Sequence, residues 1–136
     1  EFWNENISQS MLWKYSISGD LPIMIVNVED IESSGIVDEV IRFMDYVKNR
    51  NIDIDIIMLI DEEMEKYGPI YTYVKTRLDR AVYSNWTRGN IYLLNKNFLL
   101  QNEVKLLKFL STKTINDVTE FLIPDKESSN NNEVKQ

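Results

Sequence analysis

Carboxylate and amide side chains follow three of the predicted strands, at the positions where each strand ends. They are Glu29, Asp30, Asp61, Glu62 and Asn95. Open parallel sheets bind ligands beyond the carboxyl ends of their strands, and carboxylate oxygens are ligands that Mg²⁺ prefers. Alternatively, these carboxylates cap the helices that follow, where a negative charge is favourable. We favour capping, because clustered charge alone is a weak indication of a metal site.

A second acidic pair, Asp53-x-Asp55, has the spacing of the metal-binding DxD motif of nucleotide-sugar glycosyltransferases. The two acids alternate with isoleucines at the start of a predicted strand. Alternation places both carboxylates on one face of the strand, which we expect to be turned toward water. The sequence therefore predicts neither a metal site nor a catalytic residue here.

Aromatic and basic side chains are interleaved between residues 71 and 88. The residues that could form a sugar-binding or partner-binding surface are Tyr71, Arg77, Trp86 and Arg88. Aromatic rings stack on sugar faces, and the guanidinium group pairs with anions. The alternative, which we favour, is an amphipathic helix with a basic face in solvent.

A loop before the first predicted strand holds the other candidate site. Its residues are Trp13, Tyr15, Ser18, Gly19 and Asp20. Gly19 supplies a positive φ in a tight turn, and we expect Asp20 to accept hydrogen bonds from nearby backbone amides. Aromatic side chains on the surface of an isolated domain indicate a contact with another domain. The loop is therefore either a contact with a neighbouring domain or a contact with substrate.

Composition excludes several classes of function. The formal net charge is −7, which argues against binding to nucleic acid or to an anionic membrane. The chain has no cysteine and no histidine, so thiolate chemistry and the commonest zinc ligands are excluded. Its glycines form no phosphate-binding motif, and we predict no cofactor. No apolar run is long enough to span a membrane and no signal peptide is evident, so we expect a cytoplasmic protein.

The elements that position these residues alternate between strand and helix. Apolar runs predict strands at residues 22–28, 52–60 and 91–95, with a short fourth strand at 113–115. Helical spacing predicts helices at residues 36–49, from Pro69 to 81, and at 101–111, with a last short helix at 116–121. This alternation predicts an α/β fold, a small parallel sheet of three to four strands in a Rossmann-like βαβαβα arrangement. We expect strand order 2-1-3, because the first strand is apolar apart from Asn27.

The predicted organisation has three parts. Residues 1–21 form an N-terminal linker and loop, residues 22–123 form the α/β domain, and residues 124–136 form a polar, disordered tail.

The stretch from Gln9 to Ile23 resembles a motif of a known family. It has the form Q-S-x-L-W-x-Y-x-I-S-G-D-L-P-I, which is similar to cyclic β-1,2-glucan synthases and β-1,2-oligoglucan phosphorylases, once classed in glycosyltransferase family thirty-six. The order of elements is also similar over about residues 8–123. Relatives continue the second strand into Asn-Glu, where this chain has Asp61-Glu62.

The resemblance implies a parent enzyme that cleaves or remodels β-1,2-linked glucose chains, with phosphate as the nucleophile in the phosphorylases. The catalytic acid of such enzymes lies in a helical barrel, to which these 136 residues offer no counterpart. The chain then resembles a non-catalytic accessory module, or an excised fragment, whose partners are the catalytic and β-sandwich domains and possibly β-glucan itself. Trp13 and Tyr15 are expected to face those domains.

Two alternatives to the accessory module stay open at this point. The chain could be a stand-alone binding or regulatory domain of receiver-like topology. It could also be a small metal-dependent glycosyltransferase-type enzyme that uses the strand-end acids.

Overall fold

The computed structural model describes residues 5–29, 35–80 and 89–116. The predicted tail at 124–136 and the predicted helix at 116–121 lie outside these ranges, apart from Asn116. The α/β fold is as predicted: four parallel strands alternate with helices. The strands are β1 (Ile23–Val28), β2 (Asp55–Ile60), β3 (Ile91–Asn95) and β4 (Lys113–Ile115). The helices are α1 (Glu5–Lys14), α2 (Gly35–Asn49), α3 (Pro69–Arg80) and α4 (Gln101–Leu110).

The strand order is β3-β2-β1-β4, so the predicted order 2-1-3 and the receiver-like topology are wrong. The third strand pairs with the second strand and not with the first. β2 is buried at all six positions, because strands flank it and helices cover both of its faces. β3 is half-buried and lies at the edge of the sheet.

The helices cover both faces of the sheet. On one face, α2 and α3 pack over the alternate side chains of β1 and β2 that include Val26, Met58 and Ile60. On the other face, Leu12 of α1 and Leu107 of α4 pack over Ile25, Ile57 and Leu59. The two crossovers from β1 to β3 proceed in one direction, and the last one returns past β1 to β4. Because crossovers are right-handed, this reversal places α4 on the opposite face from α2 and α3.

The N-terminal helix α1 is a difference from the predicted linker. Only its last turn contributes buried residues that the structure describes, Met11 and Leu12. The helix ends in a Schellman motif: Ser16 has φ 69°, its N–H donates to Trp13 O, and Ile17 N–H donates to Leu12 O at 2.9 Å. Ile17 is fully buried against the sheet, so this cap fastens α1 to the core.

None of the helices in the described ranges combines the length and the hydrophobicity that a bilayer span requires.

Candidate functional site

A cavity of about 440 Å³ lies beside the carboxyl end of the edge strand β3. Both Leu93 and Leu94 line it, and neighbouring strand residues point to opposite faces of a sheet, so the cavity wraps around this edge. The end of α1, the start of α4, the loop between β2 and α3, and Tyr71 of α3 complete its wall. The cavity thus lies at the outer strand of the sheet, whereas the strand order reverses between β1 and β4.

Four aromatic rings contribute to the cavity wall. They are Tyr15, Tyr67, Tyr71 and Phe98. The Tyr67 and Tyr71 rings meet edge to face with their centroids 4.8 Å apart. Tyr67 is 60% exposed and Phe98 is 44% exposed, so both form an open rim. The structure thus brings together Tyr15 and Tyr71, which the sequence analysis had placed in two separate candidate surfaces.

A charged network forms the polar side of the cavity. The Glu103 carboxylate accepts hydrogen bonds from Lys14 Nζ at 2.8 Å, from Tyr15 Oη at 2.7 Å and from the Leu100 N–H at 3.0 Å. Glu103 is only 7% exposed. Burial by itself raises the pKa of this carboxyl, but the bonds from Lys14, Leu100 and Tyr15 outweigh burial and hold the pKa below its usual value. Glu103 is therefore a carboxylate at neutral pH.

The Glu103 carboxylate raises the pKa of both side chains that donate to it. Burial and the bond to Glu103 both raise the pKa of the Tyr15 phenol, which stays protonated and donates. The bond to Glu103 likewise raises the pKa of the Lys14 ammonium.

Sequence reasoning missed Glu103. The signal available was an acidic residue in the first turn of a predicted helix, where it caps that helix. Its contacts with Lys14 and Tyr15 span 89 and 88 positions of the chain, and no local pattern reveals them.

The loop with Trp13, Ser18, Gly19 and Asp20 forms the predicted turn. Gly19 has φ 83°, as expected, and a Cβ there would lie 3.2 Å from Leu12. The turn is closed by Ser18 Oγ, which accepts from the Asp20 N–H at 3.1 Å, whereas the sequence analysis expected the Asp20 carboxylate to accept. Trp13 is 59% exposed and donates from Nε1 to Ser18 O. Among the loop's candidate residues, Tyr15 lines the cavity.

The other candidate surface was predicted from aromatic and basic residues between positions 71 and 88, and its described residues lie apart from one another. Arg77 lies away from the cavity and pairs with Asp38 of α2 at 2.5 Å, with its guanidinium 5.5 Å from the Tyr73 ring. Trp86 and Arg88 fall outside the described residues. The predicted grouping with Tyr71 is therefore not assembled by the part of the chain that can be described.

Two of the strand-end acids, Glu62 and Asp61, have structural contacts, whereas Asp30 lies outside the described residues. Glu62 accepts from the N–H groups of Ile70 at 2.6 Å and Tyr71 at 3.0 Å, so it caps α3 as the favoured interpretation predicted. Asp61 accepts from the side chain of Asn97 and lies 3.7 Å from Lys96. Within residues 5–29, 35–80 and 89–116, no cluster of three carboxylates is placed to hold a metal ion.

The Asp53-x-Asp55 pair corrects one expectation. Asp55 is 1% exposed, not turned toward water, and its carboxylate accepts from the Asn90 N–H at 3.0 Å. Asp53 lies 3.2 Å from Lys48 Nζ. Asp55 is buried at the start of β2, which lies between β1 and β3. The alternating pattern of a single strand does not show which strands lie beside it.

The comparison with curated proteins finds a partial relative. Over 61 residues, this chain is 37% identical to the cyclic beta-(1,2)-glucan synthase NdvB of Rhizobium meliloti (strain 1021). The matched stretch is 45% of this chain and 2% of that synthase, so the chain spans a small part of its relative. No protein-family model matches the chain. No solved structure matches it either. The resemblance is thus to a glucan synthase, in part of the chain.

Proposed function

We propose that this chain is a non-catalytic accessory α/β module of a carbohydrate-active enzyme that acts on β-1,2-glucan. The observation that carries the proposal is the 37% identity over 61 residues to a cyclic β-1,2-glucan synthase. The fifteen-residue motif from Gln9 to Ile23, read from the sequence, points to the same group of enzymes.

The contacts of the buried carboxylates support a non-catalytic role. Glycoside chemistry needs a pair of carboxyl groups that face a substrate, one to donate a proton and one to assist attack. Here Glu62 caps α3, Glu103 caps α4, and Asp55 accepts from the backbone of residue 90. These contacts hold the fold, and the proposal therefore places the chemistry in another domain.

The partners in this proposal are the catalytic and β-sandwich domains of the parent enzyme. Trp13 exposes an indole ring beside the turn into β1, and its fixed Nε1 bond to Ser18 O holds that ring at the surface. A large apolar group held in this way suits a contact with a neighbouring domain.

The test compares this chain with the reading frame that contains it. Each is expressed and incubated with β-1,2-glucan, with and without phosphate, while released sugar phosphate and glucan length are measured. We expect turnover by the parent enzyme and none by the 136-residue chain. Turnover by the short chain, or a parent enzyme that leaves β-1,2-glucan unchanged, would contradict the proposal.

A further inference from the structure

We infer that the cavity beside β3 is a binding site for the sugar units of a β-1,2-linked glucan, with Tyr67, Tyr71 and Phe98 as the stacking surface and Lys14 and Glu103 as the hydroxyl-binding pair. The choice of glucan rests on the proposed function. The site itself rests on the geometry of the cavity.

The size and place of the cavity suit a small ligand. Its volume of about 440 Å³ falls within the range of roughly 300–1,000 Å³ that ligand sites occupy. It opens where the carboxyl end of β3 meets the β2–α3 loop. Asn95 fixes that loop: its side chain donates to the carbonyls of Glu62, Glu65 and Lys66 at 3.0–3.3 Å. The wall next to Tyr67 is therefore already formed without a ligand.

Large apolar and aromatic side chains are exposed at the rim of the cavity. Tyr67, Phe98 and Leu100 are all exposed around the opening. The Tyr67 ring meets the Tyr71 ring edge to face, so the two rings form one continuous aromatic surface. The apolar faces of a pyranose ring stack on such rings, and binding removes both surfaces from water.

The polar side has the hydrogen-bonding capacity that a pair of neighbouring hydroxyls needs. A lysine ammonium has three donors, and Lys14 uses one of them on Glu103. Glu103 Oε2 accepts from Lys14 and has a second lone pair. One hydroxyl can accept from Lys14 while its neighbour donates to Glu103, at a spot where Tyr15 and Leu100 hold the carboxylate still.

The charge of this pair favours a neutral ligand. The positive charge of Lys14 lies 2.8 Å from the negative charge of Glu103, so each offsets the field of the other. A phosphate group would meet the carboxylate as well as the ammonium. Sugar hydroxyls interact favourably with both groups, whereas a sugar phosphate depends on Lys66 at the rim.

The test is calorimetric titration of the full 136-residue chain with a β-1,2-linked glucose tetrasaccharide. The variants Tyr67→Ala and Lys14→Met remove the stacking ring and the hydroxyl donor. The control is Phe109→Ala, because Phe109 is 65% exposed and lies outside the cavity wall. We expect each cavity variant to weaken binding about tenfold, and the control to leave it unchanged. Circular dichroism of each variant shows whether its fold is kept.

Three results would overturn the inference. The wild-type chain could fail to bind the tetrasaccharide, the cavity variants could bind as well as the control, or glucose 1-phosphate could bind more tightly than the tetrasaccharide. A chain that fails to bind, beside a parent enzyme that consumes β-1,2-glucan, overturns the cavity site and leaves the proposed function standing. Binding by the chain, beside a parent enzyme inactive on this glucan, overturns the proposed function instead.

Discussion

At the scale of single residues, Glu103 performs two tasks with one carboxylate. It caps α4 through the Leu100 N–H, and it holds the end of α1 through Tyr15 and Lys14. A residue that fastens two helices and faces a cavity couples the shape of the site to the stability of the fold. Its replacement is therefore expected to affect both.

We predict that the stabilising effect of Glu103 depends on pH. Because its pKa is lowered in the folded protein, folding favours the carboxylate, and this contribution is complete above the ordinary value of about 4.3 and is lost as the pH falls through the lowered pKa. Glu103→Gln should reduce the free energy of unfolding by about 1–2 kcal/mol at neutral pH. Urea unfolding of both proteins over a series of pH values measures this difference.

The difference between wild type and Glu103→Gln should shrink toward zero in acid. Other carboxyl groups titrate in both proteins and cancel in the comparison. A difference that stays constant with pH would show that the charge of Glu103 contributes nothing to folding.

A second residue-scale prediction concerns Gly89. This glycine has φ 84°, and a Cβ there would lie 2.2 Å from the backbone oxygen of Ile54. Gly89→Ala should therefore destabilise the protein by roughly 3 kcal/mol, from the left-handed backbone and the clash together. Gly35→Ala is the matched control, because a Cβ at the start of α2 meets nothing within 4 Å. Thermal unfolding compares the two variants, and equal melting temperatures would contradict this account of Gly89.

Some residues were predictable because their constraint is local. A positive φ at Gly19 and the place of Pro69 at the first position of α3 follow from the chemistry of those residues alone. The burial of Asp55 and the role of Glu103 depend on residues that are 35 or more positions away, and they needed the folded chain.

At the scale of elements, the end of β3 organises the loop that leads from β2 to α3. Asn95 is buried, donates to three carbonyls of that loop, and accepts from the N–H groups of Glu62 and Asn97. The same loop carries Lys66 and Tyr67 to the cavity. Edge strand, loop and cavity wall are thus joined through one side chain.

We predict that Asn95→Ala loosens this loop. The loss of several buried hydrogen bonds should lower the free energy of unfolding by about 2–4 kcal/mol. Hydrogen exchange should rise at residues 62–71 more than in β1. Asn97→Ala serves as the control, because its side chain is exposed and contacts Asp61. Unchanged exchange in the loop of Asn95→Ala would contradict the prediction.

The sequence predicted most elements closely. The observed bounds of α2, α3, α4 and the four strands differ from the predicted ones by at most three residues, because each element has a clear apolar period or run. The N-terminal helix was missed. In the part of α1 whose side chains the structure describes, the buried residues are the adjacent pair Met11 and Leu12, which carries no helical period.

At the scale of the whole molecule, the sequence predicted the fold class but not the strand order. Alternating strands and helices fix a parallel sheet through right-handed crossovers. They do not fix on which side of the first strand each later strand is added. The position of β3 beyond β2 depends on which faces the helices cover, and that choice involves contacts between distant parts of the chain.

We propose that the module binds glucan in the cavity, and that another domain of the parent enzyme carries out the chemistry. Glucan binding and the absence of turnover both concern this chain and β-1,2-glucan, so one experiment can observe them together.

The most direct measurement is an NMR titration of the isotopically labelled 136-residue chain with a β-1,2-linked glucose tetrasaccharide. The account predicts shift changes at the amides of Lys14, Tyr67 and Leu100, around the cavity, while the anomeric signals of the sugar stay intact over long incubation. Sugar cleavage or elongation would contradict the non-catalytic role. Unchanged amides, or shift changes confined to surfaces away from the cavity, would contradict the site.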